Sequence, residues 1–261
     1  METGAPLITY VSEPVAVSMT DHWYDVASLD HFWIRRRFEV LVRLAEPLIR
    51  QASQIAEIGC GNGLVQRSIE DRYGVPVTGF DLNELALKKN VSRMSPICCY
   101  DIHQRSPGFR ARFDAVLLFD VIEHISDEAR FLESVEYHMA DSGVLIVNVP
   151  AHQSLYSNYD RAAGHFRRYS ISSLNNVLMR SGFRMRSCTY WGAPLLPLLA
   201  ARKVLLWFRR KEKNIISSGF DPGSRAINHA LGQISHWEPI PQTLVGTSLM
   251  CVFEKAEGKV T

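Results

Sequence analysis

The sequence predicts an α/β fold: a mostly parallel sheet of seven strands with helices on both faces. Two observations carry that prediction. Short apolar runs of strand length alternate, from Gln54 onward, with segments whose apolar residues recur at helical spacing. A glycine-rich turn, Gly59-Cys60-Gly61-Asn62-Gly63, joins the first such run to the first such helix. With 261 residues, 46% hydrophobic and 21% charged, the chain has the composition of one globular domain with a large core.

The elements follow in order. Residues 33–50 read as a helix with arginines on one face. Strands are expected near 54–58, 76–80, 96–100, 114–119, 143–149, 184–190 and 248–254, with helices near 64–72, 84–91, 127–139 and 171–181. Strand and helix in alternation imply right-handed crossovers, and ligands in such sheets sit outside the carboxyl ends of the strands. Between the last two strands, 191–243 forms a helical insertion. Its segment 195–211 is apolar but broken by Arg202-Lys203, too short and too charged to span a bilayer. A helix there, with Arg209, Arg210 and Lys211 at its end, suits a lid or dimer face, or else a membrane surface or lipid-linked substrate. The expected organisation is one domain: an N-terminal helical cap at 1–50, a core at 51–190 and 244–256, and the insertion as lid.

The turn separates cofactor classes. A dinucleotide turn, G-x-G-x-x-G, would have glycine where this chain has Leu64. Here the pattern is acid-x-G-x-G-x-G, with Glu57 before Gly59, Gly61 and Gly63. Glu57 would repel a pyrophosphate but suits an ammonium, while the turn's exposed amides can serve a carboxylate. Glycine here permits positive φ and leaves no Cβ between backbone and ligand. The next strand ends in Asp81, whose carboxylate can accept both hydroxyls of a ribose. An amino acid joined to a nucleoside is S-adenosylmethionine.

On these residues the chain resembles the class I S-adenosylmethionine-dependent methyltransferases, in the broad group that includes ubiquinone-pathway O-methyltransferases, over nearly its whole length. The resemblance implies a Rossmann-like core with a reversed C-terminal β-hairpin. It further implies that Glu57, Gly59, Gly61 and Gly63 hold the methionine part, Asp81 the ribose, Leu82 the adenine face, and Asp101 and Ile102 the adenine amino group and ring. Phe119, ending the fourth strand, completes the expected cofactor set.

The fourth strand delivers Asp120-Val121-Ile122-Glu123-His124 to the same edge. Methyl transfer to a hydroxyl needs the nucleophile aligned, water excluded and a proton removed. His124 can serve as base, beside Glu123. A second cluster, from His152 through His165 to Tyr169, can fold over the same cleft. In one expected mechanism His124 or His165 is the general base, and Arg168 and Tyr169 orient the acceptor. In the other, Asp120, Glu123, His124 and His165 bind a divalent metal such as magnesium that lowers the hydroxyl pKa. Small-RNA 2′-O-methyltransferases and some ubiquinone-pathway enzymes carry a Glu-x-x-Glu-His metal motif, from which this chain departs at Asp120. The aromatic stretches His22-Trp23-Tyr24 and His31-Phe32-Trp33 either close over the cofactor or pack on the sheet.

A net charge of +2 offers no general attraction to nucleic acid. An Asn/Asp-Pro-Pro-aromatic motif, expected of base methylation, does not follow the fourth strand; Asn148-Val149-Pro150-Ala151 follows the fifth. Five scattered cysteines without a C-x-x-C pair fit a reducing compartment, and residues 1–18 lack a secretory pattern, so a cytoplasmic protein, at most peripheral at a membrane, is expected. The expected partner is a small-molecule acceptor, most simply a phenol, sugar, natural-product or lipid-linked hydroxyl. N- or C-methylation and non-catalytic cofactor binding stand as alternatives. Oligomeric state is not readable.

Overall fold

The computed structural model describes residues 7–15, 24, 27–208 and 222–256. His22, Trp23, Arg209, Arg210 and Lys211, singled out above, lie outside them. In chain order the elements are β1 (Ile8–Tyr10), α1 (Phe32–Gln51), β2 (Ile55–Ile58), α2 (Leu64–Tyr73), β3 (Thr78–Asp81), α3 (Glu84–Lys88), β4 (Ile97–Cys99), β5 (Phe113–Phe119), α4 (Glu128–His138), β6 (Met139–Pro150), α5 (Asn158–Ala162), α6 (Ile171–Arg180), β7 (Phe183–Trp191), α7 (Leu196–Phe208), α8 (Arg225–Ser235) and β8 (Ser248–Lys255).

The sheet runs β1-β4-β3-β2-β5-β6-β8-β7. It is parallel except for β8, which lies antiparallel between β6 and β7 and forms the reversed hairpin. Eight strands among the described residues correct the expected seven. The addition is β1, which pairs in parallel with β4 through Ile8 and Ile97. Three residues, with Thr9 and Tyr10 exposed, leave too short a pattern to read from sequence.

Apolar alternation explains the layers. Along β5, Val116 and Leu118 face one side with Phe131, Leu132 and Val135 of α4 and Leu174 and Leu178 of α6. Ala115, Leu117 and Phe119 face the other, against Val40, Leu41, Ala45 and Ile49 of α1. Burial on both faces is why the strand reads as an apolar run broken only by Asp114 near its start. Leu117 is fully buried, so its truncation to alanine should cost about 2–5 kcal/mol.

The insertion is fastened to α1. Asn228 accepts from the Phe32 amide at 2.9 Å and donates to the Asp30 carbonyl at 2.8 Å. Buried Glu238 accepts from the Gly192 and Ala193 amides at 2.7 and 2.8 Å and pairs with Arg36 at 3.4 Å. Both flanks of one cavity are thereby held together. No helix among the described residues is long and apolar enough to cross a membrane.

Candidate functional site

The strand order reverses between β2 and β5, with β3 and β4 on one side and β6 on the other. That switch point opens a crevice at the carboxyl ends. A cavity of about 640 Å³ occupies it, lined at one end by the glycine turn, Asp81, Leu82 and Ile102 and at the other by Tyr159, His165 and Leu199.

The turn is built on positive φ at Gly59, 75°, and at Gly63, 76°, where Gly63 also begins α2. The expectation that absent Cβ atoms clear room for a ligand is corrected at both. A Cβ on Gly59 would lie 2.4 Å from Val121 Cγ2, and one on Gly63 would lie 2.3 Å from Asn90 Oδ1. Protein side chains fill those spaces. The expected helix over 84–91 accordingly stops at Lys88, leaving Asn90 free to fold over the turn and donate to Gln66 at 2.8 Å.

Asp81 is tied to the turn: one carboxylate oxygen accepts from the Gly61 amide at 2.7 Å and the other from the Asn83 amide at 2.8 Å. Each oxygen retains a lone pair for a hydroxyl. Burial pushes its pKa up, while these backbone amides oppose. Glu57 is buried, and its Oε2 has no hydrogen-bond partner among the described residues. Burial raises its carboxyl to about 8, against the pull of the Arg37 charge and the Gln66 amide. The expectation that the turn's amides serve a carboxylate is corrected at four of them: Gly59 and Cys60 donate to the Phe80 carbonyl, Gly61 to Asp81 and Gly63 to the Cys60 carbonyl. The buried orphan acceptor of Glu57 still fits the ammonium of S-adenosylmethionine. Leu82, Asp101, Ile102 and Phe119 line the same end of the cavity. Asp101 also caps the turn 102–104 through the His103 amide at 2.9 Å.

Arg37 was not legible as a site residue. From α1 it reaches Asp120 Oδ2 at 2.5 Å, its guanidinium lying 4.7 Å from the Trp33 ring centroid and 5.4 Å from that of Phe119. Asp120 holds φ of 57°, unusual outside glycine. Its other oxygen accepts from Asn148 at 2.9 Å, and Asn148 accepts from Trp191 Nε1 at 2.9 Å. In sequence, Arg37 is one of three consecutive arginines with nothing to mark it.

At the far end Glu123, His124 and His165 each present one ligand-type atom within 4.8 Å of the others. The two imidazoles meet edge to face, centroids 4.7 Å apart. Glu123 is fully buried, and neither carboxyl oxygen has a partner in another described residue. Burial first, then the Asp120 charge, pushes its pKa well above the carboxylate range. Burial, and then the charge of His165, lowers His124 to about 4, which keeps it neutral at pH 7. His165 Nδ1 lies 3.0 Å from Asp160 Oδ1. Asp160 is fully buried, meets Arg168 Nε at 2.7 Å and accepts from the Ser157 amide at 2.8 Å. Burial opposes its ionisation, but the His165 and Arg168 hydrogen bonds outweigh it and hold Asp160 at about 2.

Three expectations are corrected. Tyr169 does not line the cavity: its ring belongs to the sheet core and its hydroxyl donates to Glu128 at 2.5 Å. Asp120 stands outside the Glu123, His124 and His165 group, its oxygens taken by Arg37 and Asn148. His152 stacks on Tyr190 at 4.7 Å, away from the cavity. Arg168 does line it, though committed to Asp160 and the Ala151 carbonyl.

Comparison with known proteins agrees with this architecture. A family profile described as "Methyltransferase domain" matches residues 29–187. A probable S-adenosylmethionine-dependent methyltransferase of Mycobacterium tuberculosis is 28% identical over 178 residues, 67% of this chain and 64% of that relative. The chain thus spans under two thirds of that relative's length. A ubiquinone biosynthesis O-methyltransferase of Rhodopseudomonas palustris is 34% identical over 100 residues, 36% of this chain and 38% of that one. A SAM-dependent methyltransferase structure from Archaeoglobus fulgidus superposes with TM-score 0.55 at 19% identity, covering 85% of this chain and 94% of that one. A Haemonchus contortus phosphoethanolamine N-methyltransferase solved with S-adenosyl-L-methionine gives 0.58 at 15%, covering 91% and 58%. At these identities the structural likeness establishes the fold.

Proposed function

Since this chain belongs to the class I S-adenosylmethionine-dependent methyltransferase family, we propose that it transfers a methyl group to a hydroxyl of a small molecule with His165 as general base. The observation that carries this reading is the buried Asp160 carboxylate 3.0 Å from His165 Nδ1. Occupying Nδ1 fixes the tautomer, so Nε2 is the basic nitrogen, and an ionised Asp160 stabilises the imidazolium that forms.

S-adenosylmethionine supplies an electrophilic sulfonium methyl for in-line displacement. Glu57 and Arg37 would hold its amino-acid end, with the glycine turn packed against it, and Asp81 its ribose. Asp101, Ile102, Leu82 and Phe119 would enclose the adenosine. At the other end His165 Nε2 takes the hydroxyl proton as the acceptor oxygen attacks. His124, neutral at pH 7, accepts or donates a hydrogen bond without competing for that proton. Phe32, Trp33 and Tyr24 from the N-terminal cap, together with the insertion as lid, would exclude water. Asp160→Asn and His165→Gln, assayed against hydroxylated acceptors with S-adenosylhomocysteine affinity in parallel, test the assignment. Turnover should fall while affinity holds; unchanged turnover in both variants would remove His165 as base.

A second reading rests on the convergence of Glu123, His124 and His165. A divalent cation there would ionise Glu123 and use both imidazoles, with Asp160 orienting the His165 ligand from behind. Two nitrogens and one oxygen suit zinc, manganese or iron better than magnesium. Dialysis against a chelator separates the readings. Activity lost and restored by one metal supports the cation, and activity kept supports the base. N- or C-methylation and non-catalytic binding would show as turnover confined to nitrogen or carbon acceptors, or as none.

A further inference from the structure

The acceptor end of the cavity is polar at one point and apolar around it. Glu123, His124, His165 and Arg168 gather there, and His165 and Arg168 are already bonded to Asp160. Leu195, Leu198 and Leu199, from the turn 193–195 and α7, add an apolar wall to the cavity. Tyr159 and Ala163 face the cavity too, in a small apolar cluster separate from the sheet core. That cluster is not part of what holds the sheet together. Leu198, although it lines the cavity, is 55% exposed, an apolar side chain presented to solvent at the mouth.

A sugar would need a partner for each buried hydroxyl, and a buried polar group left unmade costs about 1–3 kcal/mol. Beyond the four clustered groups, only Tyr159, Thr247 and Ser248 add hydroxyls toward this end among the described lining residues. The wall offers burial instead. Resting on the methyltransferase reading above, we infer that the acceptor is a single hydroxyl on an otherwise apolar ring or chain. Its hydroxyl meets His165, its apolar part lies along Leu195, Leu198 and Leu199, and these leucines set specificity by length and girth.

The test is a ladder of 4-alkylphenols, from methyl to octyl, titrated calorimetrically into the full protein with and without saturating S-adenosylhomocysteine. Affinity should rise about fourfold per methylene, the usual gain on burying one. Leu198→Asp, at an exposed position that tolerates charge, should flatten the ladder while keeping S-adenosylhomocysteine affinity. A flat ladder on wild-type protein that binds S-adenosylhomocysteine would overturn the apolar acceptor. So would a ladder that Leu198→Asp leaves unchanged, since the alkyl group would then lie elsewhere. A rising ladder on protein that does not bind S-adenosylhomocysteine would strike the methyltransferase reading instead, and the acceptor assignment with it.

Discussion

His165 Nδ1 lies 3.0 Å from Asp160 Oδ1, and Asp160 has no exposure to solvent. The histidine sits at the cavity and the carboxylate behind it, so the pair orients one imidazole nitrogen inward. Asp160→Asn preserves shape but removes the charge that stabilises a protonated His165. Turnover should drop about 10²-fold or more, with S-adenosylhomocysteine affinity held within about twofold. A variant equally active at every pH would show that Asp160 serves only to cap α5.

The same carboxylate makes an acid-side stability prediction. Its folded pKa, about 2, lies below the ordinary 3.8, so its contribution is fully present above the ordinary value and is lost as pH falls from about 4 to 2. Wild type should lose roughly 2 kcal/mol more than Asp160→Asn across that window, by urea unfolding. Parallel curves would contradict the depressed value.

Glu57 predicts the opposite sign. A carboxyl raised from 4.5 to about 8 favours the folded state below the lower value and loses that contribution as pH rises through the higher one. Ligand-free wild type should therefore weaken between pH 5 and 8 by roughly 2–4 kcal/mol, and Glu57→Gln should not. The variant should also bind S-adenosylhomocysteine less well. Equal pH profiles for the two proteins would argue that Glu57 is already paired.

Arg37→Met leaves Asp120 partly buried without its cation, at a cost of about 3 kcal/mol. Arg37→Lys should recover only part of it, since an ammonium cannot lie across Trp33 and Phe119 as a guanidinium does. Melting temperature and S-adenosylhomocysteine affinity should fall together in the methionine variant. Affinity unchanged despite a lower melting point would confine Arg37 to structure.

Gly59→Ala places a methyl against Val121 and keeps a positive φ, so it should cost about 1–3 kcal/mol and impair cofactor binding. A wild-type melting temperature would contradict the turn geometry.

How far the sequence was legible follows from burial. The strands over 113–119 and 248–255 were readable because nearly every residue is buried, leaving long apolar runs. The strand at 8–10 was not, since two of its three residues face solvent. At the cofactor end, Glu57 and Asp81 stand at fixed offsets from a glycine pattern, so local spacing alone marked them as candidates. At the acceptor end the meaningful contacts are between elements. Arg37 meets Asp120 across 83 positions of chain and looks like any surface arginine until α1 packs. Asp160 is five residues from His165, but which of its polar neighbours it would hold depends on the turn of α5. Tyr169 misled for the converse reason: a tyrosine beside two arginines resembles a binding residue, yet its ring completes the core.

The most direct test of the central claim is calorimetric titration of S-adenosylhomocysteine into wild type and Asp81→Ala, with folding of the variant verified by circular dichroism. Micromolar binding by wild type, weakened about 10- to 150-fold in the variant by loss of charge-assisted hydrogen bonds, is the predicted result. No binding by wild type, or binding indifferent to Asp81, would contradict the placement of the cofactor at the carboxyl ends of β2 and β3.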